Sequence, residues 1–257
     1  MNVKEVLLDQ NAEESSLLSE FLNKYSATYS FRRVAFAGQE QLFLTCQNDR
    51  VGLIKGKQKI SCVDWAEETL LKRFAQTSAK EIFIQAITNK KRSSTVLYDM
   101  TAGMGKDCFI ASKFFERVVL IERNPIVHLL LQDGLRRALK HDKAARFARK
   151  ISLHCMDADV ALHSIQQTTL DFPWPDVIYF DFMFDNKKSQ STKSMEMLRE
   201  LESMYGDANI KNGELISRAL NLNPAPKVVL KAKKLPEDLD MPPKMTYAGK
   251  VVDYHVF

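Results

Sequence analysis

Asp99-Met100-Thr101-Ala102-Gly103-Met104-Gly105-Lys106-Asp107 decides the fold of this chain. It follows Thr95-Val96-Leu97-Tyr98, a short apolar run that reads as a buried strand. It leads into a helical pattern from about Asp107 to Phe115. Two glycines at this spacing let the backbone turn tightly and approach a ligand closely. A dinucleotide fingerprint needs a third glycine at position 108, where this chain has Cys108, which argues against NAD. The early carboxylate, Asp99, suits a cationic amino-acid group better than a pyrophosphate.

Downstream the pattern is regular. Arg117–Ile121, Ile151–Cys155, Asp176–Phe180 and Lys227–Lys231 read as further strands. Asn124-Pro125 opens a helix, with Asn as cap and Pro at the first helical position, and the helical pattern runs to about Arg149. Helical patterns also fill Ser191–Tyr205 and Gly213–Leu220, and Met245–Phe257 reads as a hairpin around Gly249. Strands alternating with helices imply βαβ units and a mostly parallel sheet, here ending in an antiparallel hairpin.

Upstream the pattern is irregular. Short β-like runs occur at Arg33–Phe36, Gln41–Cys46, Val51–Ile54 and Lys59–Val63, followed by a helical pattern from about Trp65 to Ile87. The polar stretch Asn89–Ser94 is a plausible boundary. Residues 1–90 are therefore expected to form a small N-terminal α/β subdomain, and residues 91–257 the main domain.

In open α/β sheets, ligands bind beyond the carboxyl ends of the strands. The second strand ends at Glu122, whose carboxylate can accept both hydroxyls of a ribose. Beyond the third lies Asp157, placed either to accept from an adenine amine or to cap a helix. Three acids and a glycine turn on successive ends suit S-adenosylmethionine. The fourth end is Asp181-Phe182-Met183-Phe184. Enzymes that methylate exocyclic amines of bases carry an acid or amide, two prolines and an aromatic residue here. Asp181 and Phe184 hold the outer places: the acid accepts from the amine and the ring stacks on the base. Phe182 would supply a backbone carbonyl, although Phe182 and Met183 also read as core residues.

These blocks together resemble the ribosomal RNA small subunit methyltransferase J family, the guanine-N2 methyltransferases of bacterial 16S rRNA. The residues carrying the resemblance are 99–107, Glu122-Arg123-Asn124-Pro125, Asp133-Gly134-Leu135, 179–184 and Val228-Val229-Leu230-Lys231. It implies a class I, Rossmann-like methyltransferase fold and S-adenosylmethionine as cofactor. Carried over by position, cofactor contacts fall on Lys106, Asp107, Glu122, Arg123, Asp157, Ala158 and Asp181, beside Asp99, Gly103 and Gly105 of the turn. Substrate contacts fall on Phe182, Phe184, Lys187 and Lys188, and the partner is 16S rRNA or the small ribosomal subunit. The family usually has two serines where this chain has Asp157-Ala158, and prolines where it has Phe182 and Asp185. Its glycine-rich loop corresponds to the glycine-free stretch near Phe74–Ala79.

Composition narrows the alternatives. An apolar share of 45% and a charged share of 27% over 257 residues are ordinary for a globular protein and exclude a disordered or collagen-like chain. The net charge of +5 is mild, yet the stretch from Arg136 to Lys150 sets seven cations against Asp142 alone. That stretch reads as a solvated helix end or an RNA contact. Four cysteines without a CxxC pair and five scattered histidines give no metal site. With no secretory signal and no run of ~18 apolar residues, no membrane span is expected and the expected compartment is the cytoplasm. Two other readings stay open: an amine methyltransferase for another RNA, DNA or protein, and a non-catalytic cofactor- or RNA-binding homologue.

Overall fold

The computed structural model describes residues 4–35, 41–56, 59–88, 95–169, 173–182, 193–205 and 210–257. Its centre is a seven-stranded sheet built from β5 (Val96–Asp99), β6 (Arg117–Glu122), β7 (Ile151–Cys155), β8 (Val177–Phe180), β9 (Lys227–Ala232), β10 (Met245–Tyr247) and β11 (Asp253–Val256). The order across it is β10-β11-β9-β8-β5-β6-β7. β5 to β9 run parallel, and β11 lies antiparallel between β9 and β10. Burial on both faces explains why these strands read as unbroken apolar runs. The hairpin around Gly249 is present as expected. Because β5 has β6 on one side and β8 on the other, the chain reverses direction across the sheet there, and a crevice opens above their carboxyl ends.

Helices cover both faces. Against one pack α7 (Ala158–Gln167) and α9 (Asn212–Leu220). Against the other pack α4 (Lys106–Ala111), α5 (Pro125–Ala138) and a smaller four-stranded sheet. That sheet has the order β2-β1-β3-β4 and comprises β1 (Lys4–Asp9), β2 (Tyr29–Val34), β3 (Leu42–Gln47) and β4 (Arg50–Lys55), with α1 (Ser16–Lys24) between its first two strands. Its apolar face shares one continuous core with the main sheet.

Several boundaries differ from expectation. β1 and α1 lie where the pattern was irregular, and the strand expected at Arg33–Phe36 is β2, ending at Val34. The run Lys59–Val63 contributes only a bridge from Ser61 to Leu53. The helix expected from Trp65 to Ile87 is two, α2 (Glu68–Gln76) and α3 (Ile82–Ile87). Lys113 Nζ donates to the carbonyls of Phe74, Ala75 and Thr77 at 2.7–3.3 Å and so satisfies the end of α2. The helix expected to reach Arg149 stops at Ala138. Its last turn tightens, with Lys140 N–H bonding Arg137 O and His141 N–H bonding Ala138 O. A separate turn, α6 (Ala145–Ala148), follows.

The cationic stretch is therefore not one solvated face. Arg136 and Arg137 both bind Asp133, which is fully buried, and Asp133 also accepts the Val51 N–H of β4 at 3.2 Å. Gly134 leaves room for Val63, whose Cγ1 would lie 2.3 Å from an added Cβ. Asp133-Gly134 thus fastens the smaller sheet to α5.

Candidate active site

Strand alternation sets out the site. Leu97, Val118, Leu120, Val177, Tyr179 and Val229 all enter the core shared with the smaller sheet. The residues that follow each in step, Asp99, Glu122, Asp181 and Lys231, project to the same face at the carboxyl edge. Here the turn after β5 is stitched to both neighbours: Met100 N–H bonds Tyr179 O at 3.0 Å, and Ala102 N–H bonds Ile121 O at 3.1 Å. Gly103 and Gly105 adopt φ of +52° and +64°, the left-handed region where a side chain is strained. An added Cβ on Gly103 would meet nothing closer than Thr101 O at 3.9 Å, so the space over the turn is open.

Asp99 is buried and accepts the Thr101 N–H at 3.0 Å and the Cys108 thiol at 2.8 Å. Burial pushes its carboxyl up to about 7, against the pull of those two donors. Cys108, at the position of the missing third glycine, is thus a donor to Asp99, and burial raises its own thiol well above the usual range. Glu122 is also buried, with its two oxygens accepting from Gly103 N–H at 2.9 Å and Asn124 N–H at 2.8 Å. Burial pushes it too up to about 7. Each oxygen retains a lone pair for a further donor.

Lys106 is exposed at the start of α4. Asp107 beside it receives Lys231 Nζ at 2.9 Å, Arg73 at 3.5 Å and the Tyr179 hydroxyl at 3.4 Å. Burial works against this carboxylate, but Lys231 and Arg73 outweigh it and hold it below its ordinary range. Asp181 receives the same Lys231 Nζ at 2.7 Å, and its N–H donates to Thr101 Oγ1 at 2.7 Å. Burial still leaves the Asp181 carboxyl raised, despite Lys231.

Arg123 is paired with Glu202 of α8 (Lys193–Tyr205). Asp157 caps α7 by accepting the Asp159 N–H at 2.9 Å, and Ala158 is the buried first residue of that helix. Phe182 stacks on Phe180, with centroids 5.1 Å apart, and packs on the α7–α9 side. Met183, Phe184, Asp185, Lys187 and Lys188 lie outside the described residues. Expected contacts from four strand ends therefore share one edge. Missing from the expected set is Lys231, the joint between Asp107 and Asp181. Its signal in the sequence is a lysine closing the apolar run Val228-Val229-Leu230 at a strand's carboxyl end.

Comparison with known proteins gives the family. Residues 29–257 match the family described as putative SAM-dependent methyltransferase. A ribosomal RNA small subunit methyltransferase J of Vibrio vulnificus is 34% identical over 191 residues, covering 72% of each chain. One of Neisseria meningitidis is 26% identical over 255 residues, 98% of this chain and 96% of the relative. A solved SAM-dependent methyltransferase from Neisseria gonorrhoeae shares the fold over 98% of this chain and 95% of its own, with a TM-score of 0.67 at 22% identity. The glycine turn, the acids on successive strand ends and these likenesses place the chain in the ribosomal RNA small subunit methyltransferase J family, whose cofactor is S-adenosylmethionine.

Proposed function

We propose that the chain methylates the exocyclic N2 amine of a guanosine in bacterial 16S rRNA. The observation that carries this reading is the Asp181 carboxylate. It stands at the switch point, 38% exposed, anchored by Lys231 on one side and by Thr101 through its backbone. The relatives are named as ribosomal RNA small subunit methyltransferases, which supports the RNA part of this reading.

The edge fits S-adenosylmethionine. The open space over Gly103 admits a close ligand, Glu122 has lone pairs for ribose hydroxyls, and the acids around the turn suit an ammonium. Asp99, Gly103, Gly105, Lys106, Asp107, Glu122, Arg123, Asp157, Ala158 and Asp181 form the proposed cofactor set. When bound, the cofactor supplies an electrophilic methyl group. Asp181 accepts an N–H of the target amine, which helps localise the nitrogen lone pair, while Phe184 stacks on the base. The carbonyl of Phe182 takes the second N–H. The target guanosine is held single-stranded or flipped out of its helix, and Lys187 and Lys188 are proposed to meet its phosphates. No strong base is required, because the nitrogen loses a proton readily once alkylated, so positioning carries the catalysis. The resemblance implies a part in substrate handling for residues 1–90.

The test is methyl transfer to small ribosomal subunits lacking the mark, mapped by mass spectrometry. Asp181→Ala should largely abolish transfer while S-adenosylhomocysteine still binds. Full activity of that variant would remove Asp181 from this role. Transfer to another RNA, DNA or a protein, with the small subunit untouched, would reassign the substrate.

A further inference from the structure

We infer that Lys231 is a positioning residue for methyl transfer, its single ammonium holding the carboxylates of Asp107 and Asp181 at a fixed separation. This rests on the reading of Asp181 given above and adds a residue to it. Asp107 is in the first turn of α4, and Asp181 follows β8. They are 74 positions apart, and Lys231 ties both to β9 at 2.9 and 2.7 Å.

An exposed ion pair contributes little, because two long side chains must be ordered against water. This one differs. The side chain of Lys231 is 23% exposed and that of Asp107 18%, whereas Asp181, at 38%, lies nearer the rim and is the more screened of the two partners. The Lys231 backbone is held in register with Tyr254 of β11. Asp107, Asp181 and Tyr254 of β11 face the ammonium, and behind them Arg73 of α2 and Tyr179 of β8 touch Asp107 while Asp99 of β5 interacts with both carboxylates. Burial opposes the charge on Lys231, yet Asp107 and Asp181 outweigh it and hold the lysine above its usual range. The ammonium is therefore permanent, and it pulls the Asp181 carboxyl down against the burial that raises it. A compact ammonium with three N–H groups can serve two acceptors at once, whereas a planar guanidinium imposes its own fork. Lys231→Arg is thus a partial substitute only. A neutral side chain of similar length should keep the strand, because Val228, Val229 and Leu230 supply its buried packing.

The experiment compares wild type, Lys231→Met and Lys231→Arg as full chains of equal thermal midpoint. Carbon-13 titration of the aspartate carboxyls follows Asp181, assigned from its loss in Asp181→Asn. In Lys231→Met that carboxyl should titrate about one pH unit higher or more. On small ribosomal subunits kcat at neutral pH should fall roughly 100-fold, and the acid limb of the rate profile should move to higher pH. Affinity for S-adenosylhomocysteine should fall by much less than kcat, since Asp107 and Asp181 are two contacts among the cofactor set, and Lys231→Arg should recover part of kcat. An Asp181 titration and acid limb unchanged in Lys231→Met would overturn the inference, whatever the loss of rate. A wild type that methylates no small-subunit substrate would instead sink the functional reading, and the carboxyl titration alone would still decide whether Lys231 controls Asp181.

Discussion

The Trp65 indole N–H donates to the carbonyl of Met104 at 3.1 Å, so a residue upstream of the polar boundary props the glycine turn of the main sheet. The ring is fully buried and stacks on Phe109, with centroids 5.6 Å apart and planes at 15°. A Cβ on Gly105 would come within 2.8 Å of Trp65 Cζ2, at a φ of +64°. Gly105→Ala therefore combines a clash with backbone strain and should cost about 1–3 kcal/mol. Trp65→Phe leaves a buried carbonyl without its donor and should cost a similar ~1–3 kcal/mol. Urea denaturation measures both, and calorimetry with S-adenosylhomocysteine should show weakened binding in each. Wild-type stability and affinity in Gly105→Ala would refute the propped turn.

Asp133 anchors the two sheets through Arg136, Arg137 and the Val51 N–H. Asp133→Ala leaves cations and an amide without their buried acceptor, a change worth roughly 3–5 kcal/mol. Gly134→Ala forces Val63 aside from a 2.3 Å approach and should destabilise as well. Protease nicking within residues 1–55 should accelerate in both variants. A normal digestion rate in Asp133→Ala would show that the smaller sheet is held by apolar packing alone.

Much of this architecture is legible in the chain. Val96-Leu97-Tyr98 and Val118-Val119-Leu120-Ile121 are buried on both faces, and continuous apolar runs identify such strands without help from neighbours. The acids at strand ends follow from the same alternation. Lys4–Asp9 is less legible, because it carries charges at both ends and pairs in parallel with Tyr29–Val34, a partner no local pattern names. The stop at Ala138 has no glycine or proline to announce it. Lys231 is placed beside Asp107 only by strand order, across 124 positions. Apart from the Ala138 stop, the illegible features depend on partners distant in sequence.

Glu122 should make cofactor affinity depend on pH. Burial lifts its carboxyl from 4.5 to about 7. The folded state then holds the proton over that window, so this group's contribution to stability declines as pH rises from about 4.5 to 7. A ribose donating hydroxyls to Glu122 favours the opposite, ionised form. Affinity for S-adenosylhomocysteine should thus rise with pH toward 7 and level off above it, by up to about tenfold per unit. Binding below pH 7 should release protons, detectable as a calorimetric heat that varies with the buffer. Glu122→Gln should lose its part of that slope, and Asp99, also lifted to about 7 and set for the ammonium, should account for the rest, which Asp99→Asn removes. A flat profile in wild type would remove Glu122 from the ribose site.

Arg146 and Arg149 are exposed on and beside α6, whereas Lys150 Nζ donates to the carbonyls of Ser112 and Phe115 at 2.8 Å each. The three cations look alike in sequence and differ in work. Lys150 satisfies the end of α4, so Lys150→Ala should lose about 1–3 kcal/mol. Arg146→Ala with Arg149→Ala should leave stability within about 0.5 kcal/mol. α6 leads into the first residue of β7 and so stands at the amino end of the strands, opposite the edge that carries Asp181 and Lys231. A nucleotide held at Asp181 is on the far side of the sheet from these arginines. The double variant should accordingly bind rRNA fragments with wild-type affinity and salt dependence. A cation that neutralises a phosphate steepens the salt slope by about 0.7–0.9, so a shallower slope for the double variant in filter binding would show that rRNA reaches around to this edge.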